Sequence, residues 1–258
     1  MEYSTPQTNV SAIFGCFIDK SRTPLLNYFL EFGDPDILNH TISGSTFMKL
    51  ASNSDHQSAE ELGGLFGEED EISPRLASLF LGNFEAFRLM GGGETPDDGD
   101  LHLAALLALP KFVRWLLDVC GHDPNYAAES FGFMVPLGLA CSSKSFPWCK
   151  IANEEADWSE RLKETMRLLA PKTDTNWRLA RKTLLHIALD NGLEVTEAMV
   201  EALDISHDSN RDKKYSYEDR AGTTYTPFQY IGTLLEASDG EKWKLAKCLK
   251  QHWKSVSC

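Results

Sequence analysis

The chain has 258 residues, of which 42% are hydrophobic and 10% are aromatic. This composition excludes a disordered chain, and the length suffices for one extended domain or two compact ones. The formal net charge is −13 at pH 7. A balance this acidic argues against a generic nucleic-acid-binding protein, because phosphate backbones are bound by clustered Lys and Arg.

The charge is distributed unevenly along the chain. Residues 1–110 hold 5 Lys and Arg against 17 Asp and Glu, whereas residues 111–258 hold 20 against 21. The final stretch is locally basic and contains Lys242, Lys244, Lys247, Lys250 and Lys254. Solvated surface is the ordinary explanation of such charge, and the alternative is that the acidic half attracts a basic partner.

The sequence offers no sign of a cofactor or of a membrane anchor. None of the six cysteines has C-x-x-C spacing, and the histidines show no metal-ligand spacing, so we predict neither metal nor cofactor. Residues 1–10 are polar, and the longest apolar run, 103–110, is too short to span a bilayer. We therefore expect an intracellular, cytoplasmic protein with free thiols, no membrane span and no bound nucleic acid.

Short apolar helices follow one another along the chain. An apolar helix is predicted over residues 25–32, followed by a turn at 33–36. Residues 44–51 predict the next helix, and residues 73–77, which begin with Ser-Pro, predict another that closes at Gly82. Each helix carries Leu, Ala or aromatic residues at i, i+3 and i+4, so each has one face to bury.

The pattern is clearest in the second half. Residues 100–106 read DLHLAAL and residues 182–188 read KTLLHIA, with His102 and His186 at the same position. Weaker copies begin near Val135 and Thr226, and an amphipathic helix over 241–252 predicts a terminal cap.

These segments resemble the ankyrin repeat, whose signature is T-P-L-H-x-A. The resemblance implies an all-α solenoid of about six or seven helix–turn–helix units in a single domain over residues 1–258. The copies lie 26 to 48 residues apart, so we predict trimmed early repeats and two long loop insertions, at 142–159 and 204–225. The degenerate copies are similar to small fungal ankyrin-type proteins. The predicted units are 1–40, 41–70, 71–97, 98–133, 134–181, 182–223 and 224–258.

The resemblance also implies roles for particular residues. His102 and His186 are expected to bridge neighbouring turns by hydrogen bonds rather than to act in acid–base chemistry. Ankyrin proteins bind through turn tips and first helices, which form a concave face. On this register the face is partly apolar, and core packing is the alternative for its residues. The predicted lining is Ile72, Phe80, Leu81, Leu107, Phe131, Met134, Trp148, Trp177 and Tyr225.

Two functions remain open from the sequence. The first is an interaction module whose concave hydrophobic groove meets a protein partner. The second is a small-molecule-binding protein, or a cofactor-independent cyclase or isomerase of biosynthesis, which holds an apolar metabolite in a reactive conformation. Tyr225, Tyr215 and Asp190 are the candidate catalytic residues for the second function.

Overall fold

The computed structural model describes residues 26, 31, 41–47, 70–90, 99–143, 158–203, 214–234 and 237–253. Contacts divide the chain into two compact units. The N-terminal unit is Met1–Pro96 with Lys150–Glu155, and the C-terminal unit is Asp97–Cys149 with Ala156–Cys258. The single domain over residues 1–258 stays a prediction.

The described part of the N-terminal unit contains a two-stranded sheet and a helix pair. Strand β1 (Ile42–Ser43) runs antiparallel to β2 (Glu71–Ile72), with Ile42 opposite Ile72. Helix α1 (Pro74–Phe80) is followed by α2 (Phe84–Leu89). The Ser73 hydroxyl accepts from the Leu76 amide, and Gly82 has φ 64°, so the predicted cap and helix-closing glycine are confirmed.

The described residues of the C-terminal unit form four pairs of α-helices. Each first helix has seven residues, and its partner is longer. The pairs are α3 (Asp100–Leu106) with α4 (Pro110–Asp118), α5 (Pro136–Ser142) with α6 (Trp158–Leu169), α7 (Leu184–Asp190) with α8 (Leu193–Leu203), and α9 (Pro227–Thr233) with α10 (Asp239–Trp253). The described residues are thus mostly helical, as the all-α prediction expects, and none of their helices has the length and apolar character needed to cross a membrane.

The helices of the C-terminal unit form two layers. First helices pack on first helices in the order α3, α5, α7 and α9, and second helices pack in the order α4, α6, α8 and α10. Ala104, Ala140 and Ala188 are fully buried in the first layer, where their small side chains allow close approach. The core therefore runs continuously between the layers, with Leu101, Leu137 and Leu185 from the first helices.

Short antiparallel hairpins connect successive pairs. The first closes with a bridge between Ala128 and Met134, the second pairs β3 (Arg178–Leu179) with β4 (Lys182–Thr183), and the third pairs β5 (Tyr217–Glu218) with β6 (Thr224–Tyr225). We call residues 128–134, 178–183 and 217–225 the hairpin row. The third hairpin occupies the end of the insertion predicted at 204–225, whereas residues 204–213 lie outside the described residues. Most of the insertion predicted at 142–159, including Trp148, lies outside the described residues.

Candidate functional site

Arginine side chains tie the second hairpin to the third. The Arg178 guanidinium donates to the carbonyl oxygens of Ser216 at 2.6 Å and Lys214 at 3.1 Å. Arg181 donates to the Asp219 carbonyl oxygen at 2.8 Å and lies 3.6 Å from the Glu218 carboxylate. Hydrogen bonds from charged donors to backbone acceptors hold the two hairpins side by side.

An asparagine links the connections that lie one helix pair earlier in the chain. The Asn125 side chain donates to the Lys172 carbonyl oxygen at 3.2 Å and accepts from the Asp174 amide at 2.5 Å. The Lys172 ammonium also lies 2.6 Å from the Asp118 carboxylate. The turns that precede the first two hairpins are therefore joined.

His102 bridges its helix to the next hairpin. Its Nε2 lies 2.9 Å from the carbonyl oxygen of Tyr126 and 3.1 Å from that of Met134. Because both partners are acceptors, Nε2 carries the proton and donates to them. The imidazole is 1% exposed and stacks on the Phe131 ring at 5.3 Å. The predicted structural role of His102 is confirmed.

His186 occupies the same position and behaves differently. Its Nδ1 lies 2.7 Å from the Thr183 hydroxyl, but its buried Nε2 has no hydrogen-bond partner among the described residues. The ring instead packs against Tyr217 at 5.6 Å and against Tyr230 at 4.7 Å. The expected hydrogen-bonded bridge is therefore wrong at His186, because tyrosine rings meet the imidazole where the first hairpin offers carbonyl groups.

The surroundings of His186 keep its imidazole neutral. Burial is the largest cause, and the positive charges of Arg178 and Lys182 add to it, so the pKa of His186 falls from 6.5 to about 3. A neutral imidazole with one unpaired nitrogen retains the capacity to form one further hydrogen bond.

Lys182, Asp190 and Tyr230 form a polar cluster beside His186. The Asp190 carboxylate lies 2.6 Å from the Lys182 ammonium through Oδ2 and accepts from the Tyr230 hydroxyl at 2.6 Å through Oδ1. The Lys182 and Asp190 side chains are 33% and 30% exposed, so solvent reaches both. The Lys182 ammonium also lies 5.4 Å from the centre of the Tyr230 ring.

In the polar cluster, Tyr230 and Lys182 both keep the protons that they donate to the Asp190 carboxylate. Burial and the hydrogen bond to Asp190 raise the pKa of Tyr230 to about 12, so its hydroxyl keeps its proton. Burial alone lowers the pKa of Lys182, but its hydrogen bonds to Asp190 and Tyr230 outweigh this effect and raise the pKa. The cluster thus presents a carboxylate that is held by two donors.

Tyr225 serves the third hairpin. Its hydroxyl donates to the Asp219 carboxylate at 3.2 Å, and its ring stacks on Tyr217 at 6.1 Å. The same carboxylate accepts from the amides of Ala221 and Thr223. The hydrogen bond from the Thr223 amide is the largest cause of the lowered pKa of Asp219. Tyr225 therefore stabilises the turn of the hairpin.

The structure corrects three of the predicted site residues. Ile72 is 0% exposed and Leu107 is 1% exposed, so both side chains belong to the core and line no surface groove. Tyr215, a predicted catalytic residue, is 2% exposed and packs with Leu185 and Leu249 in the core. The repeat register predicts Ile72 and Leu107 on the concave face, and the predicted insertion at 204–225 contains Tyr215, but all three side chains face inward.

The other predicted lining residues that the structure describes are half-buried. Phe80 and Leu81 lie in the N-terminal unit, whereas Phe131, Met134, Trp177 and Tyr225 lie in the C-terminal unit. Trp177 has a packing role, because a Cβ atom added to Gly138 would lie 3.5 Å from its ring. Helix α5 has Gly138 at the position in the pattern where α3 has His102 and α7 has His186. The indole of Trp177 occupies the space beside this glycine. The binding roles of these half-buried residues stay predictions.

Asp190 is a predicted site residue, whereas its partner Tyr230 is not. No pattern in the sequence points to Tyr230, because its partner Asp190 lies 40 residues earlier. In the described part of the chain, no group of three His, Cys, Asp or Glu side chains is arranged to hold a metal ion. Comparison with protein-family models, curated proteins and solved structures finds no match to this chain.

We expect substitution of His102 and of His186 to lower the free energy of unfolding by different amounts. His102→Leu removes the donor to two carbonyl groups, so we expect a loss of about 1–3 kcal/mol in the free energy of unfolding. His186→Leu is the matched control and loses less, because it removes one hydrogen bond, between Nδ1 and Thr183, where His102→Leu removes two. Urea unfolding measures both losses at a constant m-value. Equal losses would contradict the bridging role of His102.

His186 also predicts a pH dependence of stability. Its folded-state pKa of about 3 lies below the ordinary 6.5, so the unfolded chain binds a proton first as the pH falls. The stability from this group is complete above pH 6.5 and is lost as the pH falls toward 3, with a slope of up to about 1.4 kcal/mol per pH unit. Urea titrations of wild type and His186→Leu between these pH values measure the difference. Identical pH profiles would show that the imidazole is not held neutral.

Proposed function

We propose that the C-terminal unit is a stack of degenerate ankyrin-type repeats that binds a protein partner through its hairpin row. Support for the repeat assignment comes from the order of elements, in which four helix pairs alternate with hairpins. The two-layer packing of first and second helices supports it further. A stack of this kind offers a continuous surface made of equivalent positions.

The observation that carries the proposal is the exposure of side chains at the hairpin tips. Phe133 is 59% exposed and has φ 60°, and Arg181, with its side chain 57% exposed, has φ 70°. Left-handed backbone costs about 1–2 kcal/mol at a residue with a side chain, so a free loop would not retain it. Hydrogen bonds restrain both residues, because the Phe133 amide donates to the Ala128 carbonyl at 2.9 Å and the Arg181 guanidinium donates to the Asp219 carbonyl at 2.8 Å.

The two tips differ in what they offer to a partner. Phe133 supplies a large apolar side chain, and Tyr126 beside this hairpin is 43% exposed. Arg181 supplies a guanidinium group that also lies against the third hairpin. Aromatic and arginine side chains contribute most strongly to protein interfaces when the partner buries them. The partner therefore presents an apolar pocket to Phe133.

Peptide display tests the proposed role of Phe133. We expect a random-peptide library selected on the wild-type protein to yield binders whose Kd is raised at least about tenfold by Phe133→Ser, because the anchor is lost. Val119→Ser is the matched control, since Val119 is 70% exposed at the end of α4, outside the hairpin row. Isothermal calorimetry measures each Kd. Binders that are indifferent to Phe133→Ser and weakened by Val119→Ser would refute the proposed surface.

The polar cluster favours a second candidate function. We propose, as the alternative, that the face beside Lys182, Asp190 and Tyr230 binds a small metabolite and rearranges it without a cofactor. The partial exposure of Lys182 and Asp190 supports this alternative, because solvent and ligands can reach both side chains beside the Tyr230 hydroxyl. Pre-placed donors and acceptors can promote an isomerisation or cyclisation by orienting the substrate.

A thermal-shift panel of apolar and hydroxylated metabolites tests this alternative. A true ligand raises the Tm of the wild type and raises that of Tyr230→Phe much less, because the phenol is lost while the ring stays. Phe133→Ser is the control that leaves this shift intact. If no compound raises the Tm, the small-molecule function fails and the protein-binding function is untouched.

A further inference from the structure

The terminal helix α10 presents a distinct outward face. Its buried residues are Leu245, Cys248 and Leu249, which lie on the side that packs against α8 and α9. On the opposite side, Trp243, Lys247 and Lys250 are spaced i, i+4 and i+7, so they lie along one line of the helix. We call these three residues the outer stripe. Trp243 is 64% exposed, and both lysines are exposed.

The outer stripe is positively charged within an acidic protein. Residues 242–253 contain four lysines and neither Asp nor Glu. The acidic residues of α10, Asp239 and Glu241, lie in its first turn, where the Glu241 carboxylate accepts from the amide and hydroxyl of Ser238. The positive charge of the outer stripe is therefore not neutralised from its own helix.

Neighbouring helices do not neutralise the outer stripe either. Glu197 and Glu201 of α8 lie near Cys248 on the inward side of α10, where they add to the effect of burial in raising the pKa of that thiol. Glu201 also pairs with Arg167 at 3.3 Å. In the described ranges, neither Lys247 nor Lys250 forms an ion pair with a carboxylate.

Trp243 and Lys247 form a combined apolar and cationic surface. The Lys247 ammonium lies 5.1 Å from the centre of the Trp243 ring, within the range of a cation–π interaction. Tryptophan contributes a large apolar area to an interface when a partner covers it. The outer stripe, with an exposed Trp and two lysines, is thus complementary to a binding partner that has both apolar side chains and negative charge.

We propose that the outer stripe docks an acidic segment of a partner protein. Its carboxylates meet Lys247 and Lys250, and one of its apolar side chains packs on Trp243. The occupant is a short acidic segment. A large acidic partner, such as an anionic membrane, a nucleic acid or a second copy of this chain, is repelled by the net charge of −13. A short segment meets mainly the local field, since screening limits its range to about 8 Å at physiological ionic strength. This surface is separate from the hairpin row.

The direct test is fluorescence anisotropy with a labelled twelve-residue peptide, Glu-Glu-Leu-Phe repeated three times. We expect binding that weakens at least about fivefold between low and physiological salt, because the contact is electrostatic. The matched peptide with Gln in place of Glu does not bind. Lys247→Glu with Lys250→Glu raises the Kd at least about tenfold, and Trp243→Ser raises it several-fold.

Two controls keep the result specific. Lys111→Glu with Arg88→Glu makes the same change in net charge at exposed residues outside α10 and the hairpin row, and leaves the Kd within about twofold. Phe133→Ser also leaves it unchanged, so this test is independent of the proposed hairpin-row function. Equal binding of the Gln peptide, or equal effects of both charge reversals, would overturn the proposal.

The other occupants are distinguished by separate measurements. Sedimentation of wild type and of Lys247→Glu with Lys250→Glu, and flotation with phosphatidylserine vesicles, test a second copy and a membrane. The proposal would be refuted if the peptide does not bind and the wild type, but not the variant, forms a dimer or binds vesicles. The outer stripe would then bind a second copy or a membrane, respectively.

Discussion

The seven-residue first helices are too short to be stable alone, and this constraint governs the whole C-terminal unit. Isolated helices below about 12–15 residues are marginal in water, so α3, α5, α7 and α9 depend on one another. Fully buried Ala104, Ala140 and Ala188 permit the close packing that this dependence requires. A connected layer of first helices then fixes the hairpins between the pairs and aligns them in one row.

The hairpins are attached in two ways, and this difference separates the two candidate functional surfaces. His102 holds the first hairpin through two backbone carbonyl groups, so its nitrogen is fully used. At the third hairpin, Arg178 makes the backbone contacts instead, and the Nε2 of His186 stays unpaired. The first hairpin thus offers an exposed Phe133, whereas Lys182 of the second hairpin belongs to the polar cluster. Phe133 is the proposed anchor for a protein partner, and the polar cluster is the proposed contact for a small molecule.

Local rules of the sequence predicted local features well. The Ser73 cap, the left-handed Gly82 and the bridging His102 each depend on residues whose function is set by their own turn or by the adjacent one. The repeat register was less informative about burial, because a change in the direction of one side chain converts a surface position into a core position, as Ile72 and Leu107 show. Long-range partners gave no signal. Trp177 packs against Gly138, and Tyr230 donates to Asp190, across separations that no short motif records.

Hydrogen exchange of the wild-type protein, resolved by peptide fragments and mass spectrometry, tests the central dependence of the first helices on stacking. Because α5 and α7 each lie between two other first helices, we expect their amides to be protected to nearly the global free energy of unfolding, despite their length. The terminal α9, with one first-helix neighbour, exchanges sooner. Exchange of α5 and α7 at rates close to those of an unfolded chain would show that the stack does not form, and the hairpin row would then lose its basis.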